Sequence, residues 1–182
     1  MKTSSALEYA LLGLLRQESQ SGYDLRRTFA GTPLRHFSDS PGSIYPALRR
    51  LQARRWISSA GESANARKRQ AFAVTPAGTR ALIAWLRQPI TPEDVIWRVD
   101  ELMLRFAFLD GNVDRSDTLR FLEEFEHDLN GYLQELREHE KTFDAKLRSS
   151  TGYLAFKNGV DSYHTQLQWV RHVRKEFTEV LS

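Results

Sequence analysis

The chain has 182 residues, of which 41% are hydrophobic and 27% are charged, and its formal net charge is +3. This length suits one medium domain or two small ones with a proper core, and the composition is that of a globular protein, which makes wholesale disorder a poor interpretation. Because cysteine is absent, disulfides, cysteine-ligated zinc, iron–sulfur clusters and thiol catalysis are excluded.

The first half of the chain predicts four helices and a β-hairpin. Apolar residues at helical spacing, preceded by capping and turn residues, predict helices over 5–16, over 22–29, from 38–43 to about 55, and over 75–87. Between the third and fourth helices, the strand-like runs 56–59 and 70–74 flank a polar segment over 61–69. These runs predict a hairpin with a long polar tip, so the order is three helices, a hairpin and a helix.

The second half predicts helices alone, and it begins at a proline-rich boundary over 89–92. One helix is capped at Thr91 and continues to about residue 109. A long helix over 116–149 follows, and a last helix covers 153–181. The long helix carries a heptad repeat at Leu122, Leu129, Leu136 and Phe143, with Phe125, Tyr132 and His139 three residues further on in each heptad. We therefore expect two domains, 1–88 and 91–182.

The distribution of charge also divides the chain. Residues 1–90 contain 14 basic and 5 acidic side chains, whereas residues 91–182 contain 12 basic and 18 acidic ones. The balance thus changes from +9 to −6 between the two halves. An excess of this kind indicates that the first half binds a polyanion. Two solvated surfaces with an accidental bias are the alternative.

The order of helix, turn, helix and basic hairpin is that of a winged helix-turn-helix, whose third helix enters the major groove of DNA. On a helical wheel, Ile44, Leu48 and Leu51 face the core, and the opposite side has no carboxylate. That outward side consists of Gly42, Pro46, Arg49, Arg50 and Ala53, flanked by Ser43 and Tyr45. Arginine can pair with guanine, and serine and tyrosine can reach phosphates. An exposed basic helix without a ligand is the alternative.

Three consecutive cations, Arg67, Lys68 and Arg69, occupy the mouth of the predicted hairpin tip. They repel one another unless a polyanion neutralises them, which favours contact with phosphates or with the minor groove of DNA. A flexible basic loop without a partner is the alternative.

Several short motifs of the first half resemble the PadR family of bacterial transcriptional regulators. They are Leu11-Leu12-Gly13-Leu14-Leu15, Ser21-Gly22-Tyr23-Asp24-Leu25, Gly42-Ser43-Ile44-Tyr45-Pro46 and Ala71-Phe72-Ala73-Val74-Thr75-Pro76. The resemblance covers about residues 5–88. It implies a winged helix-turn-helix dimer that binds operator DNA, commonly as a repressor that a small molecule relieves. Residues 91–182 are similar to the helical C-terminal dimerisation domain of the longer family members.

The resemblance also implies roles for individual residues. The DNA contacts that it implies are Ser43, Tyr45 and Arg49 from the third helix and Arg67 to Arg69 from the wing, while Tyr23 lies near the phosphates or braces the turn.

Two positions depart from the pattern of the family. Arg55 stands where the family usually has a glycine that ends the recognition helix, so we expect this cap to differ or to carry strain. Ala71 and Phe72 replace positions where the family often has tyrosines, which puts a hydroxyl contact from the wing in doubt.

We expect a dimer on physical grounds. One short helix and one hairpin make too few contacts with DNA for operator specificity, whereas two copies of the chain read two half-sites. We expect the helices 116–149 and 153–181, together with the first helix, to build the interface. The residues expected there are Leu122, Leu129, Leu136, Phe143, Leu167, Val170 and Phe177. The aromatic side chains of this half are more often core than pocket, and a phenolic effector follows from family analogy alone.

The sequence carries no zincin pattern, nucleophile elbow, P-loop or dinucleotide fingerprint, so we expect no catalytic activity, metal or cofactor. It has no recognisable signal peptide or membrane span, and we expect a cytoplasmic protein.

The favoured function is a dimeric, sequence-specific regulator that represses transcription until an effector binds. The alternative is a winged-helix interaction module that binds an acidic partner without operator specificity.

Overall fold

The structure is a computed structural model that describes residues 5–38, 42–60 and 70–179. The chain divides into two compact units, Met1–Leu86 and Arg87–Ser182. None of the helices in these described stretches is long and apolar enough to cross a membrane.

The first unit is a small helical domain with a three-stranded antiparallel sheet of order β1-β3-β2. Its elements are α1 (Ala6–Gln17), β1 (Gln20–Ser21), α2 (Gly22–Gly31), a 3₁₀ turn (Pro33–Phe37), α3 (Ile44–Ala53), β2 (Ile57–Ala60), β3 (Ala71–Val74) and α4 (Pro76–Leu86). The prediction of a mainly helical winged helix-turn-helix is confirmed. The strand β1 was missed, because two residues are too few to show a period; it pairs Gln20 with Phe72 and Ser21 with Ala71.

The core of this unit forms around α1, which is apolar on nearly all sides and packs against α3, α4 and β3. The predicted inward face of α3 is confirmed, since Ile44, Leu48 and Leu51 are at most 1% exposed. Burial of side chains of this size stabilises the fold by about 1.5–3 kcal/mol each. The outward face of α3 is therefore fixed by the burial of the opposite one.

The end of α3 shows how Arg55 replaces the glycine that the family pattern has there. Arg55 has φ of 58°, the left-handed conformation. The backbone N–H groups of Arg55 and Trp56 donate to the carbonyls of Gln52 and Leu51, at 2.8 and 2.9 Å, which is the hydrogen-bond pattern of a Schellman cap. A non-glycine residue in this conformation costs about 1 kcal/mol, so the expected strain is present and the cap is retained.

The second unit contains helices and, within its described residues, no strand. Its elements are α5 (Pro92–Trp97), α6 (Val99–Ala107), α7 (Arg115–Glu140), a 3₁₀ turn (Leu147–Ser149) and α8 (Thr151–Glu179). The prediction of one helix from Thr91 to about residue 109 was wrong, because the chain breaks at Arg98 (φ −135°, ψ 30°). The break allows α5 to pack against both α6 and α7, which a straight continuation of α6 could not do.

The predicted long helix over 116–149 was too long, because α7 ends at Glu140. Phe143 consequently lies in the connection and not in a fourth heptad. Its ring packs 5.4 Å from that of Tyr153 and 5.3 Å from that of Phe156, at the start of α8. This aromatic cluster explains the turn, since it buries part of Phe143 against the returning helix. The helices α7 and α8 run antiparallel, with Glu126 bonded to Arg171 and Glu140 to Tyr153.

Two buried charges tie the start of this unit to its helices. Arg105 is 4% exposed, donates to the carbonyl of Gln88 and lies over the ring of Phe121. Burial lowers the pKa of Arg105, although neighbouring carboxylates oppose this effect. Burial raises the pKa of Asp117, but hydrogen bonds and charge from Arg87 and Arg120 outweigh it, so the pKa of Asp117 lies below its ordinary value.

Candidate nucleic-acid interface

Gly22, the first residue of α2, lies close to α3. Ser21 caps α2, since its Oγ accepts the backbone N–H of Asp24 at 3.2 Å. A Cβ on Gly22 would lie 2.8 Å from a ring carbon of Tyr45 and 3.3 Å from Leu48 Cδ1. With no side chain at position 22, the start of α2 lies this close to α3 without displacing the exposed ring of Tyr45. The approach brings the beginning of α2 and the outward face of α3 to one surface.

A cleft of about 440 Å³ lies at this surface. Its described lining is the set Ser21, Gly22, Tyr23, Tyr45, Leu48, Arg49, Gln52, Gln70 and Phe72. None of these lining residues is acidic. Tyr23 is 40% exposed and Tyr45 is 43% exposed, so both present ring and hydroxyl to solvent. The cleft thus joins three of the predicted contact residues, Tyr23, Tyr45 and Arg49, with Phe72 of β3.

Arg50 has a different environment from its neighbour Arg49. Its Nε donates to Oε1 of Glu8 at 2.5 Å, and Arg54 donates to Oε2 of the same carboxylate at 2.8 Å. The Glu8 side chain is 2% exposed, so this ion pair braces α3 against α1 from inside the unit. Arg50, which was predicted to contact DNA, is therefore paired with Glu8 within the unit. The sequence offered one indication of this ion pair, since Glu8 is a single carboxylate within an apolar helix.

The other predicted contacts divide into described and undescribed residues. Ser43 precedes α3, is half-buried and shares a hydrogen bond of 2.8 Å with Ser38. Arg67, Lys68 and Arg69 lie outside the described residues.

Sequence reasoning missed two glutamines and one arginine at this surface. Gln52 follows Arg49 by three residues and therefore shares its face of α3. Gln70 borders the cleft from the position directly before β3, and its amide donates to Ser59 Oγ. The exposed guanidinium of Arg26 lies 5.6 Å from the ring centre of Tyr23. The i, i+3 spacing could have identified Gln52, whereas the position of Gln70 depends on strand pairing.

The predicted dimerisation residues fall into two groups in a single chain. Leu122, Leu129 and Val170 are 0% exposed and Leu167 is 5% exposed, because α7 and α8 pack against each other. The half-buried group is Leu136, Phe143 and Phe177. The large apolar side chains that are exposed in this unit were not predicted: they are Trp97 at 80%, Leu154 at 57% and Leu147 at 48%.

No group of three or more metal-binding side chains occurs among the described residues.

Comparison with known proteins gives one family match for each unit. Residues 11–84 match the family model described as "Transcriptional regulator PadR-like family", and residues 100–178 match that of "Virulence activator alpha C-term". A curated relative, the negative transcriptional regulator PadR of Bacillus subtilis (strain 168), is 34% identical over 106 residues. The match spans 57% of this chain and 56% of that protein, which is about half the length of the relative.

Two solved structures of Bacillus subtilis PadR are similar to this chain. The complex with operator DNA has a TM-score of 0.42 and 22% identity, and the match covers 94% of this chain and 98% of that one. The complex with p-coumaric acid has a TM-score of 0.42 and 23% identity, and the match covers 98% of both chains.

Proposed function

Because the chain belongs to the PadR-like family of transcriptional regulators, we propose that it is a dimeric, sequence-specific DNA-binding repressor that a small-molecule effector releases from its operator. The curated relative is a negative regulator, and we extend the sign of regulation from it. We place the protein in the cytoplasm, together with its DNA.

The proposal rests on the outward face of α3, which lines the cleft. Tyr45, Arg49 and Gln52 lie on this face, and no carboxylate lines the described part of the cleft. Arginine pairs bidentately with guanine, glutamine pairs in the same way with adenine, and tyrosine hydroxyls bond to phosphates. A helix with these side chains on one face and a buried apolar face on the other is suited to the major groove.

We assign different roles to the two adjacent arginines of α3. Arg49 is exposed at the cleft and is proposed to read a base. Arg50 is proposed to fix the orientation of α3 through Glu8, which positions Arg49. The basic residues Arg67, Lys68 and Arg69 are proposed, from the sequence, to bind phosphates beside the groove.

The dimer is proposed to form through the helical unit. Leu122, Leu129, Leu167 and Val170 act indirectly, because they hold α7 and α8 together within one chain. The direct contacts are proposed to be the half-buried Leu136 and Phe143 with the exposed Leu147 and Leu154, since exposed apolar side chains gathered at one end of a helical hairpin favour association. The effector is proposed to be a small aromatic or phenolic molecule, by extension from the relative solved with p-coumaric acid.

Substitution of Arg49 by alanine tests the proposed base contact. We expect binding to the protein's own upstream DNA to weaken by about 1–3 kcal/mol, which is roughly 5- to 150-fold, because one bidentate pair is lost. Binding to a scrambled duplex of equal length should weaken much less. The measurement is fluorescence anisotropy at physiological salt with both duplexes.

Arg80→Ala is the matched control, because it removes the same charge from an exposed position of α4 outside the cleft. Equal losses on both duplexes in the Arg49 variant, or an equal loss in the Arg80 variant, would contradict a base contact by Arg49.

A further inference from the structure

Three side chains of α3 that line the cleft form a single stripe along the helix. They are Tyr45, Arg49 and Gln52, which follow one another at spacings of four and three residues. Because an α-helix has about 3.6 residues per turn, side chains at these spacings lie on one face, one turn after another. The residues of the opposite face, Ala47 and Leu51, are buried. The stripe therefore points away from the core of the unit.

Arg49 and Gln52 differ from Arg50 in their hydrogen bonding. The guanidinium of Arg50 is bound to the buried carboxylate of Glu8. Neither the Arg49 guanidinium nor the Gln52 amide makes a hydrogen bond or an ion pair with another residue in the described stretches of the chain. Both side chains therefore keep their hydrogen-bonding capacity for a ligand in the cleft.

The chemistry of these two groups selects purines. In the major groove, a guanidinium donates to O6 and N7 of guanine, whereas a glutamine amide donates to N7 of adenine and accepts from its N6 amino group. A carboxylate would instead accept from N4 of cytosine, and none lines the described part of the cleft. The stripe is therefore suited to one guanine and one adenine.

The spacing of Arg49 and Gln52 limits how far apart these two bases lie. The two residues are three positions apart in α3, and a helix rises by about 1.5 Å per residue, so they are separated by about 4.5 Å along the axis. Successive base pairs are separated by about 3.4 Å. The two side chains consequently reach base pairs that are adjacent or have one pair between them.

We propose that Gln52 is a specificity-determining residue that reads an adenine in each half-site, one or two base pairs from a guanine that Arg49 reads. The inference rests on the proposed function, because it requires α3 to enter the major groove. It adds the identity of two bases, their spacing and the side chain that selects each. Ala53, next to Gln52, is exposed, and its short side chain leaves this end of the helix room at the base edges.

Exchange of the two side chains tests the assignment without a change in net charge. The full chain and its double variant Arg49→Gln with Gln52→Arg each select duplexes from a random pool, and the bound duplexes are sequenced. Wild type should enrich a motif with guanine and adenine at the stated spacing, and the variant should enrich the same motif with these bases interchanged. Each protein should bind its own motif at least about tenfold more tightly than the other, because two bidentate pairs change at once.

The exchange Arg16→Gln with Gln17→Arg is the matched control, because it makes the same two substitutions at the exposed end of α1, outside the cleft. It should select the wild-type motif. Gln52→Ala is a second variant, which should reduce the preference for adenine by about 5- to 150-fold and keep the preference for guanine. Circular dichroism checks that each variant is folded, and Gln52→Ala decides the question if the exchange variant is not.

Three results would overturn the proposal. These are an exchange variant that selects the wild-type motif, a wild-type motif without guanine and adenine at this spacing, or a Gln52→Ala variant with unchanged preference at every position. The wild-type selection separates this assignment from the proposed function. A defined motif that the variants do not alter rejects the role of Gln52 alone, whereas a wild type that selects no motif rejects the proposed regulator as well.

Discussion

Replacement of Gly78 by alanine should destabilise the first unit by about 3 kcal/mol or more. Gly78 lies in α4, and a Cβ at this position would be 2.1 Å from the carbonyl oxygen of Trp56 and 2.9 Å from its carbonyl carbon. These atoms belong to the backbone before β2, which cannot rotate away as a side chain can. The same carbonyl accepts the N–H of Thr75 at 2.9 Å, so a shift of α4 would also break its N-terminal anchor.

Urea denaturation of the variant and the wild type measures this loss. Gly31→Ala is the control in the same unit, because a Cβ there meets no atom within 4 Å. Alanine at the end of α2 should leave stability unchanged or raise it by up to about 1 kcal/mol. If Gly78→Ala unfolds at the same urea concentration as Gly31→Ala, the close contact between α4 and Trp56 is wrong.

Removal of both arginines that pair with Glu8 should cost about 3 kcal/mol of stability, because Arg50→Ala with Arg54→Ala leaves a buried carboxylate without a partner. Glu8 is 2% exposed, whereas Arg50 and Arg54 are 48% and 27% exposed. In the double variant, the buried carboxylate of Glu8 is therefore the charge that loses its ion-pair partners. Thermal and urea unfolding of the double variant would show the loss directly.

The further substitution Glu8→Leu distinguishes an unpaired charge from lost side-chain packing. It removes the buried carboxylate and should recover most of the stability that the double variant loses, since apolar replacement of a buried ion pair is often neutral. Arg49→Ala should leave stability unchanged, because Arg49 is exposed. A triple variant no more stable than the double one, or an equal loss in Arg49→Ala, would contradict the brace between α1 and α3.

Much of the first unit could be predicted because its apolar spacing is local. The periods of α1 to α4 and the inward face of α3 are readable from neighbouring residues. The partner of Arg50 was not readable, because Glu8 lies 42 positions away and a helical wheel shows direction but not tertiary contacts. For the same reason the cleft was predicted in part: Tyr23, Tyr45 and Arg49 were named, while Gln70 depends on the pairing of β1 and β3.

The second unit was less predictable because a heptad repeat specifies a packing face and not a partner or a length. Leu122 and Leu129 are buried as the repeat implies, but against the same chain. No glycine or proline marks the ends of the helices at Arg98 and Glu140. The packing of α5 and α6 and of the Phe143 cluster determines where these helices end, and such packing is not readable from local sequence. Trp97, the last residue of α5, is 80% exposed, although its apolar character alone predicts a place in the core.

The outward face of α3 is proposed to read a DNA sequence. The most direct measurement is fluorescence anisotropy of the wild-type chain with its own upstream duplex and with a scrambled duplex of equal length, across a salt series. A sequence-reading helix predicts a gap in affinity of about a thousandfold or more that persists at physiological salt. Equal and steeply salt-dependent binding to both duplexes would contradict base recognition by α3, because such binding requires a basic surface alone.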